Sequence, residues 1–406
     1  MTAVSDYKAV DLFCGAGGAS IGLERLNVDV VGAVDKYEEA IETYADCPET
    51  SVEPWNADLT EVDFQDIADH FEFDPDDIDI VMGCPPCQNF SSLRDTEDWD
   101  PAEPKDELLL AFVRLVAQAD PDVVIFENVP GLLAKDGGQY VRWLKHRMNP
   151  EYRQELLVEP ESDADGDDIP ALNYGMAFEV VNAADYGVPQ KRRRTIGLFV
   201  KGASNEDVEI PEPTHSGNPE SDRLPWRTVE DAIGDLPALE RGEEHNEIDG
   251  HRARRHQENT MEIIRAIPDG GDRRDLIGTD LELDCHQEMD DDDQSAANIY
   301  GRMWADEPAP TLTTRCTSPS CGRFLHPDQD RALTFREAAR LMTFPDKMQL
   351  PSKNNHAERV VGNAVPPILI QNLVGRFLRE CISASHIGVG RCPEGTDSIP
   401  MASKSA

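Results

Sequence analysis

Six short apolar runs in the first two hundred residues constrain the fold more than any other feature of this chain. They cover residues 9–13, 28–34, 78–82, 123–126, 178–181 and 195–200. Each has the length of a buried strand, and amphipathic segments, clearest over 38–44 and 107–119, lie between several of them. The alternation predicts an α/β fold, a mostly parallel sheet with helices on both faces. Such sheets bind ligands beyond the carboxyl ends of their strands. The residues that end each run are therefore where chemistry is expected.

The third run leads into Gly83-Cys84-Pro85-Pro86-Cys87-Gln88-Asn89-Phe90-Ser91. Two prolines fix φ, remove two backbone donors and stiffen the turn. A cysteine held there could be aimed at a substrate, and Cys87 is the candidate nucleophile. The first run opens into Asp11-Leu12-Phe13-Cys14-Gly15-Ala16-Gly17-Gly18. Glycines at a strand-to-helix turn let backbone approach a ligand and direct N–H groups at it. The spacing is not Gly-x-Gly-x-x-Gly and no Gly-Lys-Ser/Thr follows, which counts against a dinucleotide or phosphate site. Asp35 ends the second run, where a carboxylate can accept from a ribose diol or simply serve a helix N-terminus. Glu127-Asn128-Val129 ends the fourth. Gln190-Lys191-Arg192-Arg193-Arg194 precedes the last, its Arg192 and Arg194 alternating onto one face. Gly362-Asn363-Ala364-Val365-Pro366-Pro367 lies near the C-terminus.

Taken in this order, the motif segments resemble those of the DNA cytosine-5 methyltransferase family. The resemblance implies a Rossmann-like S-adenosylmethionine-dependent methyltransferase sheet with a smaller, loop-rich target-recognition domain. The expected activity is methyl transfer to C5 of a flipped cytosine in duplex DNA, through a covalent bond between Cys87 and C6. Cys87 would supply the thiolate. Glu127 would bind N3 and the exocyclic amine, which requires a raised pKa. Arg194 would face O2, and Arg192 the surroundings of Cys87 or a phosphate. For the cofactor, the resemblance implies Phe13, Cys14, Gly15, Gly17, Gly18, Asp35, Asp58, Leu59, Pro86, Asn363 and Val365. Members of the family commonly place an aromatic residue after the ribose-binding acid, whereas this chain has Lys36 and then Tyr37. Gln88 and Ser91 are expected at DNA. The tRNA-methylating branch of the family is the alternative, but its Cys-Phe-Thr signature is absent from Cys316-Thr317 and Cys321-Gly322.

Residues 1–201 are read as the catalytic domain and 202–326 as the recognition domain, poor in periodic apolar structure and rich in Pro, Gly, Asp, Glu and Arg. Residues 327–385 are expected to pack back on the first domain, with a helix capped by Thr334 and a closing helix from Pro366 to Glu380. Residues 386–406 are read as a disordered tail. Pro308-Ala309-Pro310-Thr311-Leu312-Thr313-Thr314-Arg315, with Arg302, resembles the motif that organises the recognition domain.

Charge complicates a DNA partner. The chain carries 79 Asp+Glu against 38 Lys+Arg, a net charge of −41. The acids are dispersed along the chain, which suggests a salt-rich cytoplasm such as that of a halophilic archaeon, where screening is short-ranged. Salt also weakens the counterion-release drive to bind DNA, so hydrogen bonds and shape must carry more of the recognition. Arg252, Arg254, Arg255, Arg273, Arg274 and Arg315 are candidate DNA contacts, with ordinary ion-paired surface as the plain reading. Nine cysteines without disulfide spacing are expected to be reduced. A zinc site from Cys84, Cys87, Cys316 and Cys321 is disfavoured by its loose spacing. With no apolar stretch long enough to cross a membrane and no signal sequence at residues 1–6, a soluble, cytoplasmic and monomeric enzyme is expected, with any cognate restriction endonuclease acting separately.

Overall fold

The computed structural model describes residues 7–86, 107–134, 138–149, 151–152, 172–286 and 298–383. Cys87, Gln88, Ser91 and the tail from 386 lie outside the described residues.

The apolar runs form a seven-stranded sheet. In chain order its strands are β1 (Lys8–Leu12), β2 (Asp29–Asp35), β3 (Trp55–Asn56), β4 (Ile80–Gly83), β5 (Val123–Asn128), β6 (Tyr174–Asn182) and β8 (Arg193–Lys201). The spatial order is β3-β2-β1-β4-β5-β8-β6. From β3 to β5 every pairing is parallel, and β8 runs antiparallel between β5 and β6. The short β7 (Gln190–Lys191) leaves the sheet to pair with Ala309–Pro310. A two-residue strand such as β3 has too few side chains for an alternating pattern, so it leaves no trace in the sequence.

The pleat sorts the strand residues onto two faces. Val10, Val81, Val124 and Phe126 pack under α3 (Phe64–Phe71), α4 (Glu107–Ala119) and α6 (Gln139–Met148), through Phe64, Phe112 and Trp143. Ala9, Ile80, Met82, Val123 and Ile125 face the opposite core with Leu23, Leu369, Ile370 and Leu373. These last residues belong to α1 (Gly18–Glu24) and to the closing helix, Pro367–Ser383. The C-terminal segment therefore completes the core that the first strands begin. Fully burying a side chain such as Phe112 stabilises the fold by about 1.5–3 kcal/mol.

Thr334 caps the helix Phe335–Leu341 as expected, its hydroxyl taking the Glu337 N–H while the Glu337 carboxylate takes its own. That helix shares a third core with Ile21, Ala40, Val229, Ile233, Val360 and Val361. A fourth core of Met261, Ile264, Ile267, Leu276, Tyr300 and Leu325 lies within the loop-rich region.

Candidate active site

The carboxyl ends of β1, β2, β4 and β5 open on one cavity of about 560 Å³, within the usual range for small-molecule sites. Its wall includes Phe13, Cys14, Gly15 and Gly18 from the first strand end, Asp35, Lys36 and Tyr37 from the second, Cys84 to Pro86 from the fourth, and Glu127 with Asn128 from the fifth. Arg194 enters from β8, and Arg359, Asn363 and Val365 close the far side.

The glycine loop turns sharply. Phe13 lies at φ 60°, a left-handed conformation unusual for a non-glycine residue, and Gly17 lies at φ 81°. At Gly18 a Cβ would stand 2.0 Å from the Val365 carbonyl oxygen, so only glycine lets the C-terminal motif close on the loop. Asp35 ties loop and second strand together, accepting from the Gly15 N–H at 2.9 Å and the Tyr37 N–H at 2.8 Å. Burial raises its pKa, and those N–H groups oppose the rise. Asp11 is fully buried on the same wall. One of its carboxylate oxygens accepts from Ser20 at 2.6 Å, and Oδ1 has no hydrogen-bond partner among the described residues. Burial pushes the Asp11 carboxyl up to about 7.

The opposite end of the cavity holds an ion pair. Arg194 Nε stands 2.9 Å from Glu127 Oε1, and the two side chains expose only 12% and 9% of their surface. Burial raises the Glu127 pKa against the pull of Arg194 and Arg192. The adjacent Asn128 donates from Nδ2 to the Pro85 carbonyl at 3.1 Å and accepts the Val129 N–H at 2.8 Å. It thereby holds the proline turn that leads to Cys87. Nothing in a Glu-Asn-Val tripeptide announces that role. Burial also lifts the thiols of Cys14 and Cys84 well above their ordinary pKa, so neither wall cysteine is an activated nucleophile.

Several expected site residues stand elsewhere. Arg192 does not share a surface with Arg194. Its side chain is fully buried, and its guanidinium donates to the carbonyls of Leu312, Gly362 and Ala364 at 2.9–3.0 Å. The chain leaves β7 at this residue before β8 begins, so simple alternation fails. Arg192 fastens the Leu312 loop and the Gly362 segment to the sheet, and its buried guanidinium is spent on those carbonyls. Asp58 and Leu59 do not line the cavity. Asp58 is held by Thr60 and by Lys36 Nζ at 3.1 Å, and Leu59 is core. Gly17 lies behind the wall against Tyr44.

The candidate DNA arginines divide. Arg252 stacks on Phe335 and donates to the Ser352 carbonyl and Asn354, and Arg254 pairs with buried Glu358 at 3.0 Å. Arg273 is buried, and Arg274 chelates Asp272. Arg252, Arg254 and Arg273 are corrected to structural roles, because their donors are spent or enclosed, whereas the Arg274 side chain stays 49% exposed. Arg255 and Arg315 are exposed. Residues on the cavity wall to which the sequence analysis gave no role of their own include Asp11, Asn128 and Arg359.

Comparison with known proteins agrees with this geometry. The profile of the C-5 cytosine-specific DNA methylases matches residues 7–153 and 167–379. The type II methylase M.HgiDII of Herpetosiphon aurantiacus is 32% identical over 380 residues, spanning 91% of this chain and 95% of its own. The type II methyltransferase M1.HphI of Haemophilus parahaemolyticus is 30% identical over 371 residues, 91% and 86% of the two chains. Among solved structures, an E. coli prophage protein crystallised as a candidate DNA modification methyltransferase superposes with a TM-score of 0.63 at 22% identity, over 93% of this chain and 99% of that one. The Dnmt2 methyltransferase of S. pombe shares the fold at a TM-score of 0.53 and 14% identity, over 92% and 98%.

Proposed function

The chain belongs to the C-5 cytosine-specific DNA methylases, and from that premise we propose how its residues divide the work of a DNA cytosine-5 methyltransferase. The observation that carries the proposal is the buried Glu127–Arg194 pair, set in one cavity with the glycine loop and the Pro85-Pro86 turn.

Cytosine C5 is a poor nucleophile. Addition of the Cys87 thiolate to C6 places electron density on C5, which can then take a methyl group. Loss of the C5 proton and departure of the thiolate restore the ring. Glu127 holds N3 and the exocyclic amine. Its raised pKa favours the protonated form that can donate to N3. Arg194 fixes the Glu127 carboxyl and faces O2. A base can enter so enclosed a site only after leaving the duplex.

Methyltransferases of this family use S-adenosylmethionine, which when bound supplies an electrophilic methyl group. The residues present fit it. The buried Oδ1 of Asp11 is an acceptor in want of a cationic or N–H donor, Asp35 stands at the second strand end, and Phe13 and Tyr37 offer apolar faces. Asp35, Phe13, Gly15, Pro86, Asn363 and Val365 would hold it. The charge of −41 supports a salt-rich working medium. The type II names of the relatives support a separate restriction endonuclease as counterpart.

Bisulfite sequencing of duplex DNA incubated with S-adenosylmethionine in high KCl tests the reading, with Cys87→Ala in parallel. Protected cytosines within one short recurring sequence, lost in the variant, are expected. Protection that survives the substitution would mean that Cys87 is not the nucleophile.

A further inference from the structure

Arg359 is the anomaly of the cavity mouth. Of the two arginines on the cavity wall, Arg194 is paired with Glu127, and Arg359 is not. Arg359 is exposed, lines the cavity and has no carboxylate partner among the described residues. Its guanidinium carbon instead stands 4.0 Å from the centre of the Tyr37 ring. Tyr37 is itself fixed, its N–H held by Asp35. Next to this pair, His356 Nδ1 stands 3.0 Å from Glu39 Oε1. His356 and Arg359 are three residues apart on the helix Asn354–Asn363 and so share a face. Two contacts thus strap that helix across the start of α2 (Glu38–Ala45).

From this geometry, and resting on the reading that the cavity holds S-adenosylmethionine, we infer that Arg359 and Tyr37 together clamp the purine end of the cofactor. A planar guanidinium stacks on π-faces and is more weakly hydrated than an ammonium, so it suits contact with both a tyrosine ring and a purine. Lys36, the residue directly after Asp35, also lines the wall but sends its ammonium to Asp58, so the π-stacking surface beside Asp35 is that of Tyr37 and Arg359. Arg359 is a positioning residue, and it comes from the C-terminal segment. Closure of that segment onto Gly18 and completion of the cofactor site are then one event.

The test is calorimetric titration of S-adenosylhomocysteine in high KCl into the wild type, Arg359→Ala, Arg359→Lys, Tyr37→Ala and the Tyr37→Ala/Arg359→Ala double variant, each checked for fold by circular dichroism. Arg359→Ala should raise Kd about threefold to thirtyfold, the range of one cation–π contact. Arg359→Lys should fall between, and the double variant should lose no more than Tyr37→Ala alone. A folded Arg359→Ala with unchanged Kd, or losses that simply add, would overturn the clamp while the cofactor reading stands. A folded wild type that binds no S-adenosylhomocysteine would overturn the cofactor reading and the clamp with it. A loss confined to DNA affinity would reassign Arg359 to a phosphate and also overturn the clamp.

Discussion

Arginine does opposite things at the strand ends and in the loop-rich region. At the start of β8, Arg194 lines the cavity and meets one carboxylate, Glu127. Between residues 252 and 336, Arg302 donates to the carbonyls of Ile264, Ile267, His326 and Gln329, and Arg336 to those of Asp249, Pro345 and Met348. Arg331 forks onto buried Glu337, and Arg323 serves Gly270, Gly271, Arg302 and Asp272. Regular strands satisfy their own carbonyls, and irregular loops do not. A guanidinium with five donors can satisfy several loop carbonyls at once. The chain between residues 252 and 336 thus uses arginine where the sheet uses its ladder.

The sharpest way to break that contrast is at Glu127. Glu127→Gln keeps shape but removes the titrating acid, and methyl transfer should fall by about 10² to 10⁴. S-adenosylhomocysteine affinity should hold near the wild-type value, and the protein should stay folded while losing some stability from the unpaired Arg194. A variant that unfolds, or retains full activity, would put Glu127 among the structural groups instead.

Arg192 tests the other side. Truncation to Ala strands the carbonyls of Leu312, Gly362 and Ala364. A loss of about 1–3 kcal/mol for each buried carbonyl left unpaired is expected, read by denaturant unfolding. A stable variant with only its turnover reduced would return Arg192 to the catalytic set.

This pair also explains what was legible. The sheet, its glycine loop, Asp35, Glu127 and the Thr334 cap could be read because strand periodicity and cap chemistry are local. Arg192 misled because a break in the strand between Lys191 and Arg193 reverses an alternation argument. Asp58 stands off the cavity wall and meets Lys36 across 22 positions of sequence, a contact that no local pattern announces. Asn128 and Arg359 were invisible, since each acts on a residue far away in the chain. Residues 202–326 were read by composition alone, and composition cannot tell a surface arginine from one wrapped in carbonyls.

Asp11 offers a smaller and pH-dependent test. Its carboxyl titrates near about 7 when folded and near about 4 when unfolded. The folded state therefore holds the proton more tightly. The stability from this group is complete below about pH 4 and is lost as pH rises toward 7. Without cofactor, this contribution should be lost between about pH 4 and 7, and Asp11→Asn should flatten that loss. Parallel curves for the two proteins would mean that Asp11 keeps its charge through Ser20 and the cavity.

The smallest effects should separate Arg254 from Arg255, adjacent in sequence and opposite in setting. Arg254 stacks near Phe335 and pairs with buried Glu358, which also accepts from the backbone and hydroxyl of Thr317. Removing it leaves a buried acid under-compensated, so Arg254→Ala should cost about 1–3 kcal/mol of stability. It should leave the salt dependence of DNA binding unchanged. Arg255 is exposed and spends no donor on a carboxylate in the described structure. If it meets a phosphate, Arg255→Ala should weaken binding to every DNA sequence alike and lower the slope of log K against log salt by about 1. An acidic body makes the slope the better measure, because self-repulsion shifts affinity but a counterion is released only where a cation meets a phosphate. If neither variant changes the slope, DNA lies on another face of the recognition region, and Arg315 becomes the next cation to remove.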